Sequence, residues 1–342
     1  MAITAGLDVG GAHLKVALVE DGRTIAVRQI VCPLWQGTDK LDAALAEARP
    51  LIGAAERHAV TMTGELSDLF ADRKTGVATL VSRLERELGP ATQFWMGVHG
   101  FGDGARARHL HTDVGSTNFL ASATLVGRQR ADALLVDFGS TTADIVPVAG
   151  GKPVPRGLTD GERLATGELV YTGLTRTPVM GVATRAPFKG RWQTLCREYL
   201  ATMADVRRVL SELPDDVDQH ATADGRGKSL EESTARFARM FGRDGADGGP
   251  EDWREASAFV REAQLATILE GCLEVLDAAA LPAGAPVVAA GIGADEVAEI
   301  AGRLGRRSVT FGELANADDG CRLWATRSAP AVAIALLLDN PG

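Results

Sequence analysis

The feature that most constrains the fold is a pair of similar segments about 130 residues apart. In each, a buried-strand pattern ends in an aspartate, a turn of small residues follows, and an apolar run returns. The first covers residues 3–19 with Asp8 at the end of its first strand, and the second covers residues 133–148 with Asp137 there. Each pattern predicts a β-hairpin with polar chemistry at its tip. Their repetition predicts two similar halves that face each other.

The tip of the second hairpin combines phosphate-binding donors with carboxylates. Gly139 lets the backbone approach a ligand closely. The hydroxyl and amide donors that can cradle phosphate oxygens belong to Ser140, Thr141 and Thr142. Asp137 and Asp144 bracket these donors and would repel a bare phosphate, so the pairing favours a divalent cation such as Mg2+ between them. A simple hairpin with a Ser/Thr turn is the alternative interpretation.

The tip of the first hairpin has a related set of residues. Gly10 and Gly11 follow the strand that ends at Asp8, and we predict that they bind a substrate phosphate. Lys15 adds a compact ammonium group that can act as a point charge on that phosphate. The predicted metal ligands are Asp8 and Asp137, and the predicted catalytic residues are Asp8, Lys15, Asp137 and Asp144.

Composition excludes several classes of function. The formal net charge is -9 and the pI is near 5.3, which argues against nucleic acid or an anionic membrane as the main partner. The cysteines lie far apart, without a Cys-x-x-Cys or Cys/His cluster, so neither a zinc site nor a disulfide framework is predicted. The N-terminus lacks the pattern of a signal peptide, and no run approaches the roughly 18 apolar residues of a membrane span. We expect a cytoplasmic protein, and the sequence leaves its oligomeric state open.

Strand and helix patterns alternate along the chain, which predicts an α/β fold. Helices are predicted over residues 38–53, 75–88, 195–213, 229–241, 251–281 and 329–338. A short strand is predicted over residues 178–182, and residues 100–113 and 185–192 are predicted to be irregular. The second of these loops carries three cations around Pro, Phe and Gly, so Arg185 is predicted to clamp a diphosphate or a substrate carboxylate. A solvated turn with one stacked Trp is the alternative.

Three further patterns admit a binding role and a structural one. A strand over residues 286–290 is followed by Gly291 and Gly293 at the start of a helix, where free amides favour anions or a nucleotide. The polar residues 63–68, and Asn118, either line a cleft or cap the next helix. His109 and His111 have the spacing of a metal pair but lack a third ligand in the sequence nearby.

Taken together, the motifs resemble the two phosphate loops and the adenosine loop of the acetate and sugar kinase, heat-shock protein and actin superfamily. They are Asp8-x-Gly10-Gly11, Asp137-x-Gly139-Ser140-Thr141-Thr142 and Gly291-x-Gly293. The resemblance implies an α/β fold with two RNase-H-like (actin-like ATPase) lobes around a central cleft. The implied first lobe covers residues 1–130 plus 325–342, and the second covers residues 131–324 with a helical insertion at about 190–282. It also implies that Mg2+-bound phosphate is held between the hairpins.

Within that superfamily, the chain most resembles the hydantoinase/oxoprolinase-related group that is linked to tetrahydromethanopterin-dependent one-carbon metabolism. The matching stretches are Met62-Thr63-Gly64-Glu65-Leu66, Arg185-Ala186-Pro187-Phe188 and residues 201–208 and 221–226. Characterised members of the group are similar to the condensing enzyme of methanofuran biosynthesis. The resemblance implies a transferase that joins an aminomethylfuran-methyl diphosphate to the phenol of γ-glutamyltyramine, or of a tyrosine-derived analogue, and releases diphosphate. In methylotrophic bacteria the analogous product would be methylofuran.

The implied chemistry assigns roles to the predicted residues. Mg2+, Lys15, the amides of the two tips and Arg185 would stabilise charge on the leaving diphosphate. A carboxylate would accept the phenol proton, with Asp8, Asp137 and Asp144 as candidates and Glu65 as a further one. A metal-bound carboxylate is a poor base, which leaves this assignment open.

Two alternatives of other kinds remain at this stage. The first is an ATP-dependent small-molecule kinase or a hydantoinase/oxoprolinase-type hydrolase, which would bind ATP through the Gly291 loop. The second is a non-catalytic nucleotide-sensing protein that opens and closes around its ligand. The sequence has no obvious segment for polymerisation or peptide binding, which argues against the second alternative.

Overall fold

The computed structural model describes residues 2–214 and 216–340. Residues 1, 215, 341 and 342, which the predicted division assigns to the two lobes, lie outside the described residues. The first sheet contains β1 (Ile3–Val9), β2 (His13–Glu20), β3 (Arg23–Val31), β4 (Arg57–Met62), β5 (Gln93–Trp95) and β6 (Phe101–Gly102). The second sheet begins with β7 (Ala133–Phe138), β8 (Ala143–Ala149), β9 (Lys152–Pro153) and β10 (Leu169–Val170). A separate hairpin consists of β11 (Arg185–Phe188) and β12 (Arg191–Thr194), and β13 (Val287–Ala290) and β14 (Ser308–Thr310) complete the second sheet.

The two sheets repeat one topology. The strand order is β3-β2-β1-β4-β5-β6 in the first sheet and β10-β8-β7-β13-β14 in the second, with β9 beside β8. In each sheet the opening strand pairs antiparallel with the next one and parallel with a strand that comes later in the chain. The hairpins β1–β2 and β7–β8 therefore occupy equivalent central positions. The predicted division of the chain into domains stays a prediction.

Helices connect and cover these strands. They are α1 (Asp39–Ile52), α2 (Arg73–Leu88), α3 (Gly104–His109), α4 (His111–Val114), α5 (Asn118–Gln129), α6 (Asp160–Ala165), α7 (Met203–Leu210), α8 (Leu230–Arg239), α9 (Pro250–Ala278), α10 (Ala294–Arg303), α11 (Phe311–Leu314), α12 (Arg322–Arg327) and α13 (Ala329–Asp339). The apolar faces of α1 and α2 pack with β1, β2 and β4 in one core. Among the helices of the described part of the chain, none has the length and apolar character needed to cross a membrane.

The last helix, α13, packs on the first sheet although it lies at the other end of the sequence. It is buried along nearly its whole length. At Gly6 in β1 the two backbones approach so closely that a Cβ atom would lie 2.1 Å from the carbonyl oxygen of Ala331. Asp339 fixes the end of the helix, because it accepts a hydrogen bond of 3.0 Å from the Thr4 hydroxyl and forms a 2.5 Å ion pair with Arg57. Helix α13 thus completes the core of the first sheet.

Residues 185–192, predicted as a loop, form most of the β11–β12 hairpin. Lys189 and Gly190 have positive φ angles of 50° and 71°, the backbone conformation that a tight two-residue turn requires. The prediction was wrong because it took proline as a loop signal, whereas Pro187 lies in a sheet of only two strands, where a missing amide is tolerated.

Two other segments differ in type from the prediction. Residues 178–182 contain a short 3-10 helix at Val179–Gly181 rather than a strand. Residues 100–113, predicted to be irregular, contain β6, α3 and α4. Segments of this length carry too few apolar residues for periodicity to distinguish the alternatives.

The predicted helix over residues 195–213 was too long. Only α7 is helical there, because Thr202 and Asp205 form a capping box that begins the helix at the following residue. Ser211 takes a left-handed φ of 61° and ends it. The residues before Thr202 are therefore held outside the helix by a specific local signal.

Candidate active site

One cavity of about 450 Å³ lies between the tips of the hairpins β1–β2 and β7–β8. All of the site residues predicted on the two hairpins line it, namely Asp8, Gly10, Gly11, Lys15, Asp137, Gly139, Ser140, Thr141, Thr142 and Asp144. Side chains at the ends of equivalent strands in the two sheets therefore meet at one place. The cavity is the candidate active site.

The two tips are closed by the same backbone hydrogen bond. The Gly10 amide donates to the carbonyl oxygen of His13 at 2.9 Å, and the Gly139 amide donates to that of Thr142 at 2.9 Å. In the strand registers, Asp8 lies opposite Lys15 and Asp137 lies opposite Asp144. Lys15 and Asp144 thus occupy equivalent positions with opposite charge.

Asp8 is buried and Asp137 is half-buried, and both carboxylates lie close to other charges. Burial raises the pKa of Asp8, the nearby Lys15 lowers it, and Asp144 raises it further. Burial also raises the pKa of Asp137 to about 7, with Lys15 opposing this shift and Asp144 and Asp8 adding to it. Lys15 Nζ lies 3.9 Å from Asp8 Oδ2, whereas Asp8 Oδ1 is buried without a hydrogen-bond partner. The lining of the cavity also carries more carboxylates than cationic side chains.

This donor set fits a magnesium ion that shares its coordination with a substrate. Among the described residues, no group of three or more His, Cys, Asp or Glu side chains is arranged as a complete metal site. Mg2+ commonly keeps water molecules and binds through one or two carboxylates together with phosphate oxygens. Asp8 Oδ1 has no hydrogen-bond partner and burial raises the pKa of Asp137, so a divalent cation bound by both carboxylates would stabilise their charged forms. Asp8 and Asp137 are the residues that would hold this ion.

Asp144 is already paired within the protein. Arg163 Nη1 donates to Asp144 Oδ1 at 2.8 Å, and this arginine is buried, with its guanidinium 3.6 Å from the centre of the Phe119 ring. Arg163 Nη2 also donates to the carbonyl oxygen of Glu168 at 2.9 Å. The ion pair fixes the position of Asp144, which makes it a poorer candidate for the base than a carboxylate without a cationic partner.

Gly173 packs directly against the backbone of the second hairpin tip. The segment after β10 donates backbone hydrogen bonds of 2.9 Å from Leu174 to Gly139 and from Arg176 to Ser140. Gly173 lies so close that a Cβ atom would be 2.2 Å from the backbone of Ser140 and from the amide nitrogen of Thr141. The shape of the tip therefore depends on the absence of a side chain at Gly173.

Three predicted site residues lie elsewhere. Arg185 does not line the cavity, and its guanidinium is 4.7 Å from the ring centre of Trp192 on the β11–β12 hairpin. Gly291 and Gly293 do not line it either. A Cβ atom at Gly291 would lie 2.5 Å from Asp137 Oδ1, and one at Gly293 would lie 2.2 Å from the ring of Phe138. These glycines make room for the end of β7, and Gly291 also lines a second cavity of about 350 Å³. Their predicted role in binding a ligand stays a prediction.

Several residues that the sequence analysis did not assign to the site also line the cavity. They are His13, Gln29, Trp35, Ser116, Asp160, Arg163, Tyr171 and Arg176. For some polar residues the sequence left open whether they line a cleft or cap a helix. The cavity is lined by four of them, namely Thr63, Ser67, Asp68 and Asn118. His109 and His111 lie in the short helices α3 and α4 and belong to no metal-binding group among the described residues.

Glu65 lies behind the cavity wall and is almost completely buried. Its Oε1 accepts a 3.0 Å hydrogen bond from the Ser116 hydroxyl, while Oε2 has no partner. Ser116 Oγ also lies 3.4 Å from Asp160 Oδ2, which faces the cavity. Burial raises the pKa of Glu65 to about 7, although Ser116 and Arg73 act in the opposite direction. The carboxyl group is thus held mainly in its protonated form below neutral pH.

The raised pKa of Glu65 predicts a pH dependence of stability. In the unfolded chain this carboxyl ionises near 4.5, so the folded state binds an extra proton between about pH 4.5 and about pH 7. The free energy of unfolding should therefore fall as the pH rises through this range. Glu65→Gln should abolish this part of the fall, which is roughly 3 kcal/mol from the size of the shift. Urea unfolding of both proteins at about pH 5 and about pH 8 measures the difference.

The exposed Glu231 offers a matched control for this experiment, because Glu231→Gln changes the same functional group in solvent. It should leave the pH dependence of wild type unchanged. Equal slopes for wild type and Glu65→Gln would contradict the assignment.

The chain is similar in sequence to a known protein family and to named proteins of two organisms. The model of the hydantoinase/oxoprolinase family matches residues 56–311. A protein of Methanocaldococcus jannaschii, named (4-{4-[2-(gamma-L-glutamylamino)ethyl]phenoxymethyl}furan-2-yl)methanamine synthase, is 32% identical over 237 residues, which are 69% of this chain and 70% of the relative. A Methanococcus vannielii protein of the same name is 34% identical over 110 residues, 32% of this chain and 49% of the relative.

A solved structure has the same fold at low sequence identity. The nucleotide-free structure of acetone carboxylase matches 89% of this chain and 67% of its own chain, with a TM-score of 0.57 and 10% identity. The predicted α/β fold of the actin-like ATPase class is confirmed by such neighbours together with the strand order of the sheets.

Proposed function

The chain belongs to the hydantoinase/oxoprolinase family, and from this membership we propose that it is a transferase of methanofuran-type biosynthesis. In the proposed reaction, the phenol oxygen of γ-glutamyltyramine, or of a tyrosine-derived analogue, attacks the furfuryl carbon of an aminomethylfuran-methyl diphosphate. The new C–O bond forms an aryl ether, the old C–O bond breaks, and diphosphate leaves with its electron pair. The observation that carries the proposal is the meeting, at one acidic cavity, of the two hairpin tips that are predicted to bind phosphate.

The residues of the cavity suit this kind of bond cleavage. A furfuryl cation is stabilised by its own ring, so the main task of the protein is to stabilise charge that builds up on the diphosphate. Amides and hydroxyls at residues 140–142 can donate to its oxygens, and Lys15 supplies a positive charge. Mg2+ bound by Asp8 and Asp137 would neutralise further negative charge on the leaving group. A cleft of the kinase type can therefore serve a reaction at carbon.

Arg176 replaces Arg185 as the arginine that this proposal places near the diphosphate. Its Nη1 donates a 3.0 Å hydrogen bond to the Thr141 hydroxyl, at the tip of the second hairpin. Arg176 and Arg185 each lie near a tryptophan ring, but only Arg176 lines the cavity. Because guanidinium groups bind phosphate oxygens with two parallel donors, Arg176 is suited to the outer end of the diphosphate.

Asp160 is the carboxylate that best fits the base for the phenol. It lines the cavity, it does not belong to the proposed metal ligands, and Ser116 holds it at 3.4 Å. Burial raises the pKa of Asp160, and Arg73 partly offsets this rise. A raised pKa makes a carboxylate a better acceptor for the proton of a phenol, whose pKa is ordinarily about 10.

Replacement of Asp160 tests this role. We expect Asp160→Asn to lower kcat by about 10²- to 10⁴-fold, the usual contribution of a general base, with little change in the KM for either substrate. Part of the activity should return at alkaline pH, where more of the phenol is ionised. Steady-state kinetics from about pH 6 to about pH 10 measures both effects. A kcat equal to that of wild type at neutral pH would exclude Asp160 as the base.

The decisive experiment for the function is reconstitution. The purified protein is mixed with Mg2+, the furan diphosphate and a candidate phenol, and mass spectrometry detects the aryl ether while a coupled assay detects diphosphate. Calorimetric titration with ATP is carried out in parallel. Aryl ether formed in proportion to diphosphate supports the proposal, whereas tight Mg2+-dependent ATP binding with phosphate release and no ether would favour a kinase or hydrolase.

A further inference from the structure

We propose that an aromatic wall at the opening of the cavity binds the phenol ring of the acceptor substrate. The wall is formed by His13, Trp35, Tyr171 and Arg176, with His220 packed behind it. The inference rests on the proposed function and adds a second subsite, which shares Arg176 with the diphosphate site. It assigns a ligand class, a planar and uncharged or anionic ring that carries a hydroxyl group.

The wall is assembled from distant parts of the chain. The rings of His13 and His220 are 4.5 Å apart at an interplanar angle of 63°, and the rings of Trp35 and His220 are 5.7 Å apart. The Gln29 side chain donates a 3.2 Å hydrogen bond to the side-chain oxygen of Gln219, which anchors the neighbouring backbone to β3. The aromatic rings are thus held in place before any ligand arrives, which lowers the entropic cost of binding.

Large apolar surfaces of the wall remain open. Trp35 is 41% exposed and Tyr171 is 68% exposed, although both line a cavity that is otherwise polar. An aromatic ring gains free energy when a second ring stacks on it or meets it edge to face. The exposed rings therefore offer a binding surface for an aromatic ligand and none for the phosphate groups.

His13 supplies a polar atom that can form a hydrogen bond with the phenol hydroxyl. It is almost fully buried, it lines the cavity, and its Nε2 has no hydrogen-bond partner. Burial lowers the pKa of His13 to about 2, with the neighbouring His220 and Lys15 adding to this effect, so the ring is neutral at pH 7. A neutral imidazole can exchange a hydrogen bond with a phenol hydroxyl, and satisfying a buried polar atom stabilises the complex.

Arg176 connects the wall to the diphosphate site. Its guanidinium carbon is 5.1 Å from the centre of the Trp35 ring, and the same side chain donates to Thr141. A ring bound at the wall consequently lies beside the hairpin tip that is proposed to hold the diphosphate. A nearby guanidinium favours the phenolate over the phenol and disfavours a cationic ligand.

A tryptophan–arginine pair away from the cavity, Trp192 and Arg185, provides a matched control. Trp192 is 57% exposed and lies 4.7 Å from Arg185, but this pair is outside the cavity. The experiment compares wild type with Trp35→Leu, Trp35→Phe and Trp192→Leu by calorimetric titration. The probes are γ-glutamyltyramine and, separately, inorganic diphosphate with Mg2+.

We expect Trp35→Leu to weaken binding of γ-glutamyltyramine by about tenfold and to leave diphosphate binding within about twofold of wild type. Trp35→Phe should restore most of the loss, and Trp192→Leu should behave as wild type. Unchanged phenol binding in Trp35→Leu, or equal loss of both ligands, would overturn the aromatic subsite. If wild type forms no aryl ether but binds the phenol in a Trp35-dependent way, the proposed reaction fails and the subsite stands.

Discussion

Asp137→Asn is expected to reduce aryl ether formation by about 10³-fold, because it removes one of two carboxylates proposed to hold the magnesium ion. Lewis-acid stabilisation of a leaving phosphate contributes several kcal/mol, and about 4 kcal/mol corresponds to this factor. The residual rate should also require more Mg2+. Initial rates measured across a range of Mg2+ concentrations report both effects.

The fold should tolerate this substitution. Burial already raises the pKa of Asp137 to about 7, so a neutral amide of the same shape replaces a group whose charge the folded state disfavours. Asp132→Asn is the matched control, since Asp132 lies at the other end of the same hairpin and accepts a 3.2 Å hydrogen bond from the Gly150 amide. Wild-type turnover in a folded Asp137→Asn protein would show that the hairpin tip is not catalytic.

Gly173→Ala is expected to damage the site although Gly173 itself does not line the cavity. The new methyl group would lie 2.2 Å from backbone atoms of Ser140 and Thr141, so the tip of the second hairpin has to move. Overpacking of this kind costs about 1–3 kcal/mol of folding free energy. Displacement of the donors by about 1 Å is enough for a 10²-fold loss of activity.

The measurement pairs thermal unfolding with the rate of ether formation. Gly181→Ala serves as the control, because a Cβ atom there meets no other atom within 4 Å. A Gly173→Ala protein with full activity would mean that the tip does not depend on this close contact.

The hairpin residues were predictable from sequence because their signal is local. An apolar run, an aspartate and small turn residues are contiguous, and the two sheets place equivalent strand ends together. Gly291 and Gly293 were recognised as special positions, but their sequence pattern could not distinguish an approach to a ligand from an approach to Asp137 and Phe138. The distances in the folded chain show the approach to Asp137 and Phe138, and the binding role stays a prediction.

The aromatic wall was not predictable in the same way. Trp35, Tyr171 and His220 are separated by long stretches of sequence, and no periodic pattern links them. Arg176 and Arg185 are similar residues near similar rings, and only tertiary structure shows which of them faces the cavity. Residues that converge through long-range packing leave no signature in a single sequence.

The position of α13 has a consequence for biosynthesis. Because α13 supplies part of the core beside β1, with Gly6 in contact with the backbone of Ala331, the opening strands cannot reach their finished packing before α13 has been synthesised and can fold. Nascent polypeptide up to that moment exposes an apolar sheet face, which is the kind of surface that chaperones bind. Premature termination before α13 should therefore leave an aggregation-prone product rather than a shorter active enzyme.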